Sequence, residues 1–362
     1  MKCILYFGNF NFDKGFAAVN RAIGIATVFS KCSLETRIYC SHLPQNINND
    51  RYLNDNHIRL IDKPFDGFSN YLKYGFYINE IKKNIENIEA VVLYNMPSLA
   101  FSKILRFCKK NKIKVISDTT EWYDTKHVSL FLKPFKFFDT FLRMRHLNYR
   151  VDSLIVVSSY LEKFYMKRKD LNVFKIYPIM DYVLSQNKTF ERKTSPCLTF
   201  GYFGINRDGK DEVSQILDIF SKKLSTFKLV YVGDCSKKIK RKYNNCKNID
   251  MFGRMKNSEL ISKYSEIDYT LLFRKQSRAN VAGFPSKFAE SIAFDVPVVC
   301  NNFSDIKLLD NENVATLLIN SLEDLSLDNN IGLLKKYKFN PKRLKPYFLA
   351  DTYVPVIKDI LK

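Results

Sequence analysis

The stretch that most limits what this chain can become is residues 281–302, VAGFPSKFAESIAFDVPVVCNN. It reads in three pieces. Val281-Ala-Gly-Phe-Pro285 is a turn whose glycine lets backbone approach a neighbour closely. Residues 286–294 then place Phe288, Ala289, Ile292 and Ala293 at helical spacing, and Pro285 stands where a first-turn proline is tolerated. Residues 297–300, Pro-Val-Val-Cys, form a short buried strand. A glycine turn that opens a helix presents backbone N–H groups and a positive dipole end, which suits a phosphate. Glu290, one turn further in, is a carboxylate that a sugar hydroxyl can use. Taken alone, these residues fit an ordinary loop–helix–strand unit of an α/β sheet equally well.

At 362 residues the chain exceeds one hydrophobic core, so two domains are expected. An apolar content of 46%, with only 12 Gly and 11 Pro, describes a globular protein. No apolar run is long enough to span a membrane, and the first ten residues lack the pattern of a signal peptide. The eight cysteines form no Cys-x-x-Cys pair; their scattered, apolar placement reads as reduced thiols of a cytoplasmic protein. No His or Cys cluster has metal-ligand spacing. A net charge of +21 asks for an anionic partner: a nucleotide-sugar, an anionic membrane surface or nucleic acid. Charge alone does not choose among them.

The chain divides into two α/β halves. Residues 2–7 are a strand ending at Gly8, followed by a polar loop containing Gly15. Phe16, Val19, Ile23 and Phe29 then recur at helical spacing before a second strand at 37–40. This is the start of a doubly wound sheet, whose ligands sit at the carboxyl ends of strands. No Gly-x-Gly-x-x-Gly is present, so a dinucleotide site is not indicated. Strands at 90–93, 113–116, 151–157 and 173–177 continue the half, with a helix at 98–110. Residues 117–124, Ser-Asp-Thr-Thr-Glu-Trp-Tyr-Asp, follow a strand's carboxyl end and hold the only Trp, which suits a cleft. A capping Asp118 beside a solvated Glu121 explains them equally well. His127, a lone histidine, reads first as a surface or packing residue. The polar stretch 184–196 reads as a linker.

The second half restarts with a strand at 197–204 that ends in glycine. Its loop carries Arg207 and Lys210, and Val213, Ile216, Leu217 and Phe220 form the next helical stripe. Strands at 229–232, 249–252 and 269–273 follow, the last delivering Arg274. In the first half, residues 131–150 interleave Phe137, Phe138 and Phe141 with Lys133, Lys136, Arg143 and Arg145. Such a segment fits a membrane surface or single-stranded nucleic acid. An amphipathic helix with its aromatics turned to the core fits it as well.

Gly-Phe-Pro-Ser-Lys-Phe-Ala-Glu-Ser followed by Pro-Val-Val resembles the donor-binding signature of glycosyltransferase family 4, which has the GT-B fold. That family carries two glutamates separated by seven residues, then a small residue, a glycine and Pro-Val-Val. Glu290 matches the second glutamate, Ala282 stands in place of the first, and Asp295 stands at the glycine. Asp tolerates the left-handed helix-ending conformation better than most residues. The Asp-x-x-Glu-Trp-Tyr run is also similar to bacterial capsule and lipopolysaccharide enzymes, in which the first acid is often absent.

The resemblance implies two doubly wound Rossmann-like domains facing across a cleft. Residues 1–183 would be the acceptor side and 197–345 the nucleotide-sugar side, with 346–362 a last helix crossing back to the first domain. It implies a retaining, metal-independent glycosyltransferase of cell-surface polysaccharide synthesis, with a UDP- or GDP-linked sugar as substrate and no separate cofactor. The acceptor would be a polyprenyl-linked glycan at the inner face of the cell membrane. Lys210 and Arg207 would meet the leaving diphosphate, with Glu121 as a third catalytic candidate. Gly15, Gly204, Arg274, Gly283, Phe284, Pro285, Ser286, Lys287 and Glu290 would bind the donor, and Asp118, Trp122 and His127 would line the acceptor side. A same-face transfer lets the leaving phosphate take the acceptor's proton, so no carboxylate pair is required. Two alternatives stay open: a non-catalytic glycosyltransferase-like subunit, consistent with Ala282, and a nucleotide-sugar epimerase on the same fold. The resemblance lends nothing to a nucleic-acid partner.

Overall fold

The computed structural model describes residues 1–11, 16–43, 57–123, 129–168, 170–181, 197–204, 213–255 and 257–362. Gly15, His127, Arg207, Lys210 and the expected linker at 184–196 lie outside the described residues. The chain forms two compact units. The first comprises Met1–Tyr182, Val281–Phe284 and Tyr347–Lys362; the second comprises Val183–Asn280 and Pro285–Pro346.

The first unit is built on a seven-stranded sheet in the order β3-β2-β1-β4-β5-β6-β7. Its strands are β1 Cys3–Asn11, β2 Glu35–Ser41, β3 Ile58–Asp62, β4 Ile88–Tyr94, β5 Lys114–Thr119, β6 Ser153–Val156 and β7 Asn172–Lys175. The second unit has six strands in the order β10-β9-β8-β11-β12-β13. These are β8 Thr199–Phe203, β9 Lys228–Val232, β10 Ile249–Phe252, β11 Tyr269–Leu272, β12 Val298–Cys300 and β13 Thr316–Leu318. Every described pairing is parallel. That explains why the central strands read as unbroken apolar runs: helices cover both faces, and no strand face is left for water. In each sheet the strand order reverses beside the first strand, between β1 and β4 and between β8 and β11. Such reversals leave room for a ligand at the carboxyl ends.

The edge strands β3 and β13 escaped the sequence reading. β3 (Ile-Arg-Leu-Ile-Asp) is mostly half-exposed, and β13 is three residues long, so neither makes an apolar run. The C-terminal segment also differs in its local form. Residues from Pro341 to Tyr353 form two 3-10 turns, the first containing Pro346, and an α-helix begins only at Val354–Leu361. Proline at 346 removes a backbone donor, which favours the tighter, shorter helix here. Within the first unit this segment is tied down by Met180 N–H donating to the Phe348 carbonyl (2.8 Å) and Ala350 N–H donating to Asp181 Oδ2 (2.8 Å).

Lys63, just past β3, lies 1% exposed inside the first unit. Its ammonium donates to the Gly8 carbonyl (3.1 Å), to Asn70 Oδ1 and to the Tyr77 hydroxyl (3.3 Å), over the Phe65 ring. Burial without a paired carboxylate lowers its pKa from 10.5 to about 8. The unfolded chain thus holds this proton to higher pH than the folded chain does. Stability therefore rises with pH across the window from about 8 to 10.5. Relative to Lys63→Met, the wild-type protein should gain about 2–3 kcal/mol between about pH 7.5 and 10. Chemical denaturation of both proteins over that range measures it, and tyrosine and cysteine titrations cancel in the difference. A difference that stays constant with pH would show that Lys63 is not held in a charge-excluding site.

Candidate functional site

In the second unit the carboxyl ends of β8 and β11, at the reversal of strand order, carry Gly204 and Arg274. Gly204 has φ +148°, and a Cβ there would stand 2.2 Å from Lys287 Cε. Gly233, after β9, has φ +151°, and its Cβ would stand 1.9 Å from the Gly204 carbonyl oxygen. At Gly233 backbone occupies the space a side chain would need, and at Gly204 the positive φ disfavours one. Lys287 lies over the Tyr202 ring (4.3 Å to its centre) and donates to the Tyr202 hydroxyl at 2.9 Å. Tyr202 in turn stacks on Tyr231, with ring centres 5.4 Å apart. The cation is thereby aimed along the glycine edge of the sheet.

The Ser286–Ala293 helix starts beside this edge, with Pro285 as its N-cap in extended conformation. Phe288, Ala289, Ile292 and Ala293 are buried, as their spacing predicts. Ser291 shares a hydrogen bond with Thr270 (2.7 Å) and donates to the Val296 carbonyl (2.8 Å), which locks the helix onto β11. Asp295 ends the helix at φ +57°, with Val296 N–H donating to Ser291 O and Asp295 N–H to Ile292 O. This is the Schellman arrangement, normally given to glycine, and Lys345 steadies the aspartate at 2.9 Å. Glu290 is half-buried one turn into the helix. Desolvation raises its pKa above the ordinary carboxylate value, against the opposing pull of Lys287 and the Tyr264 hydroxyl. Arg274 exchanges backbone hydrogen bonds with the Asn301 amide (3.1 and 2.8 Å), which fixes the end of β11 to the end of β12. Its guanidinium lies over Phe303.

So Gly204, Arg274, Pro285, Ser286, Lys287 and Glu290 all fall in the second unit, at the ends of its strands and the start of one helix. Gly283 and Phe284 do not: residues Val281–Phe284 pack in the first unit. The Phe284 ring packs at a tilt against Tyr177 and Phe348 (centres 4.9 and 6.0 Å away), and the Ala282 carbonyl accepts from the Ser158 hydroxyl at 2.6 Å.

In the first unit the acidic run separates residue by residue. Asp118 is fully buried and does not face solvent. Arg21 clasps it through two nitrogens (3.0 and 3.1 Å), and the Tyr6 hydroxyl donates to it at 2.5 Å. Arg21 also donates to the Ile176 and Tyr177 carbonyls. The acceptor-side expectation for Asp118 thus meets a carboxylate whose oxygens already serve an internal ion pair, and it is not a helix cap either. Trp122 is likewise buried, edge-on to Phe164 (4.7 Å) and Tyr160 (6.2 Å). Glu121 stays half-exposed and its carbonyl accepts from Arg143; burial raises the pKa of the Tyr94 and Tyr123 phenols, and the Glu121 charge adds to it. Asn95 and Thr120 join the ends of β4 and β5 through two side-chain hydrogen bonds (2.8 and 3.2 Å).

Tyr202, Tyr264, Asn301 and Arg21 were not singled out from the sequence. Only Arg21 left a signal: it interrupts the apolar face of the Phe16–Ser30 helix, where an unpaired cation would be costly. Among the described residues, no group of His, Cys, Asp and Glu has the arrangement of a metal site, and none of the eight cysteines is in a disulfide.

By sequence, no protein-family profile and no curated protein matches the chain. By structure it is similar to sucrose-phosphate synthase from Thermosynechococcus elongatus (TM-score 0.71, 12% identity, covering 99% of this chain and 98% of that one). It is similar also to HepE from Anabaena, solved in complex with UDP and glucose (TM-score 0.70, 12% identity, covering 100% and 99%). A third is the lipopolysaccharide outer core galactosyltransferase WaaB (TM-score 0.62, 13% identity, covering 100% and 99%). The two parallel-sheet units and these full-length matches make the fold GT-B.

The contrast between Asp118 and Glu121 is measurable. Asp118→Asn leaves Arg21 charged and buried without its partner, so it should lose about 3–5 kcal/mol of stability. Glu121→Gln, at a half-exposed position, should change stability by no more than about 0.5 kcal/mol. Chemical denaturation compares the two. An Asp118→Asn protein as stable as wild type would remove the internal ion pair from the account.

Proposed function

We propose that the chain is a glycosyltransferase that moves a sugar from a nucleoside-diphosphate donor to a glycan acceptor. The observation that supports this best is the strand-end constellation of the second unit, on a GT-B fold. Lys287 and Arg274 bring positive charge to a glycine edge where backbone can approach a phosphate, beside the N-terminus of the Ser286–Ala293 helix. Glu290, a turn further in, is the carboxylate for the ribose hydroxyls. HepE is similar in structure and is solved in complex with UDP and with UDP-glucose, which accords with a nucleotide-sugar donor.

The reaction follows from charge. As the bond from the anomeric carbon to the diphosphate oxygen breaks, negative charge grows on the phosphate. Lys210 and Arg207, from the loop after β8, take the leaving-group role, supported by Lys287 and Arg274. The acceptor hydroxyl attacks from the face the phosphate is leaving, so the anomeric configuration is retained and the departing phosphate oxygen takes the hydroxyl proton. This family-4-like chemistry needs neither a metal ion nor a protein base, and UDP or GDP is the leaving group. The acceptor is a lipid-linked glycan of capsule or lipopolysaccharide type, bound by the first unit. The +21 charge supports peripheral attachment at the inner face of the cell membrane.

One residue favours a second reading, a non-catalytic subunit. Ala282 occupies the place of the first family glutamate, is fully buried, and has its carbonyl engaged by Ser158. Turnover by the purified chain excludes that reading.

Two measurements address the donor assignment. Nucleoside diphosphates should raise the melting temperature, since a ligand at 100 times its Kd adds about 2.7 kcal/mol of stability. Lys210→Ala and Glu290→Gln should fail differently. Glu290 holds a part of the donor that changes little during reaction, so its loss should mainly raise KM. Lys210 meets charge that grows in the transition state, and its loss should cut kcat by about 10²–10³. Normal kcat and KM in both folded variants would place the donor elsewhere.

A further inference from the structure

The Lys133–Leu142 helix is inside out. Its buried residues are Asp139 and Thr140, continued by Arg143 in the next turn, which is 2% exposed. Its aromatic residues face water: Phe137 is 61% exposed, Phe138 60% and the preceding Phe131 94%. Leu130, Phe135 and Phe141 extend the same exposed ridge, and Phe68 meets it from a neighbouring loop, 5.9 Å from Phe135. The polar side is anchored to the first unit. Asp139 accepts from the Ser98 N–H at 2.7 Å and from the Tyr71 hydroxyl at 3.1 Å, and Arg143 donates to the Glu121 carbonyl. A contiguous aromatic ridge of this kind is not a normal water-facing surface.

The charge around the ridge identifies what covers it. Residues 130–150 contain Lys133, Lys136, Arg143, Arg145 and Arg150 against one acid, Asp139, which is buried and already bonded. Within residues 130–150 the charge left exposed is therefore all positive, with Arg145 and Arg150 open to solvent. Apolar rings flanked by cations match an anionic bilayer: rings enter the boundary of headgroups and acyl chains while the cations stay with the phosphates.

We propose that this ridge is the membrane-inserting surface of the protein, holding the first unit on an anionic bilayer through its phenylalanines as well as its charge. This rests on the membrane attachment in the proposed function and names the element and mode that produce it. The loop carrying Phe68 also carries Asp66, which accepts from Asn11 (2.7 Å) and lies 3.7 Å from His42. Polar groups at the carboxyl ends of β1 and β2 are thus joined directly to the ridge, where the head of a lipid-linked acceptor would emerge.

The test uses the full chain and vesicles of phosphatidylcholine with and without phosphatidylglycerol, read by co-sedimentation at low and high salt. Wild-type protein should bind the anionic vesicles and retain a salt-resistant fraction. The variant Phe131→Ser/Phe137→Ser/Phe138→Ser, altered only at exposed positions, should lose about tenfold or more in vesicle affinity and all of the salt-resistant binding. Lys133→Gln/Arg145→Gln should weaken binding at low salt but keep that fraction. Equal vesicle binding by the serine variant and wild type would overturn the proposal. So would a wild-type protein that ignores both vesicles and instead self-associates through the ridge in sedimentation equilibrium. Stabilisation by a nucleoside diphosphate, measured on the same proteins, should be unchanged by the serine substitutions. Its absence from wild type would count against the donor reading and leave the ridge standing.

Discussion

The first unit depends on one buried ion pair. Arg21 reaches from the helix after β1 to Asp118 at the end of β5, and also to the carbonyls of Ile176 and Tyr177 beyond β7. Tyr6, on β1, completes the shell of Asp118. Four separated parts of the chain therefore converge on two charges that water does not reach. Such a pair stabilises little in net terms, because desolvation opposes the Coulomb attraction, but breaking either half is costly. Its effect is specificity of arrangement. The end of β5 is fixed so that Glu121, three residues on, emerges at the sheet's carboxyl edge while Trp122 turns into the packing against Phe164.

The second unit reaches its arrangement by exclusion rather than by pairing. Gly233 leaves no space for a Cβ against the Gly204 backbone, so the ends of β8 and β9 lie closer than a side chain would allow, and Gly204 itself holds a positive φ beside the Lys287 stem. A parallel sheet with a reversal of strand order brings backbone amides and a helix start to one edge, and the glycines keep that edge bare. The Lys287 cation that crosses it lies over the Tyr202 ring and donates to the Tyr202 hydroxyl. Glu290, in the same unit, has its pKa raised because burial outweighs the pull of Lys287.

What the sequence disclosed follows from which physical signals are local. The helix at Ser98–Lys110 and the parallel strands other than β3 and β13 were legible because continuous apolar runs and helical spacing are visible one segment at a time. The left-handed Asp295 was legible too, since few residues end a helix that way. The fate of Asp118 and Trp122 was not: both stand in a motif that suits a ligand, and only long-range contacts with Arg21 and Phe164 decide that they point inward. The division after Phe284 was hidden for the same reason, because a motif read as one continuous loop is shared between two compact units. Tyr202 carried no signal at all, being one aromatic among 21 tyrosines and 30 phenylalanines.

The Lys133–Leu142 helix shows how strongly long-range polar contacts can override an apolar pattern. Rotating it by half a turn would bury its phenylalanines, each worth about 1.5–3 kcal/mol when fully covered. The same rotation would withdraw Asp139 from the Ser98 amide at the start of the next helix inward, and from Tyr71. It would also pull Arg143 away from the Glu121 carbonyl and the Tyr123 ring. Those groups would then be buried without partners, at a cost comparable to the gain. A polar anchor of this kind fixes the helix in one orientation, and in that orientation the aromatics must face outward. The exposure is therefore specified by the fold itself. An outward ridge that the interior enforces persists whether or not anything covers it, which is what a surface needs if it is to attach and detach without unfolding.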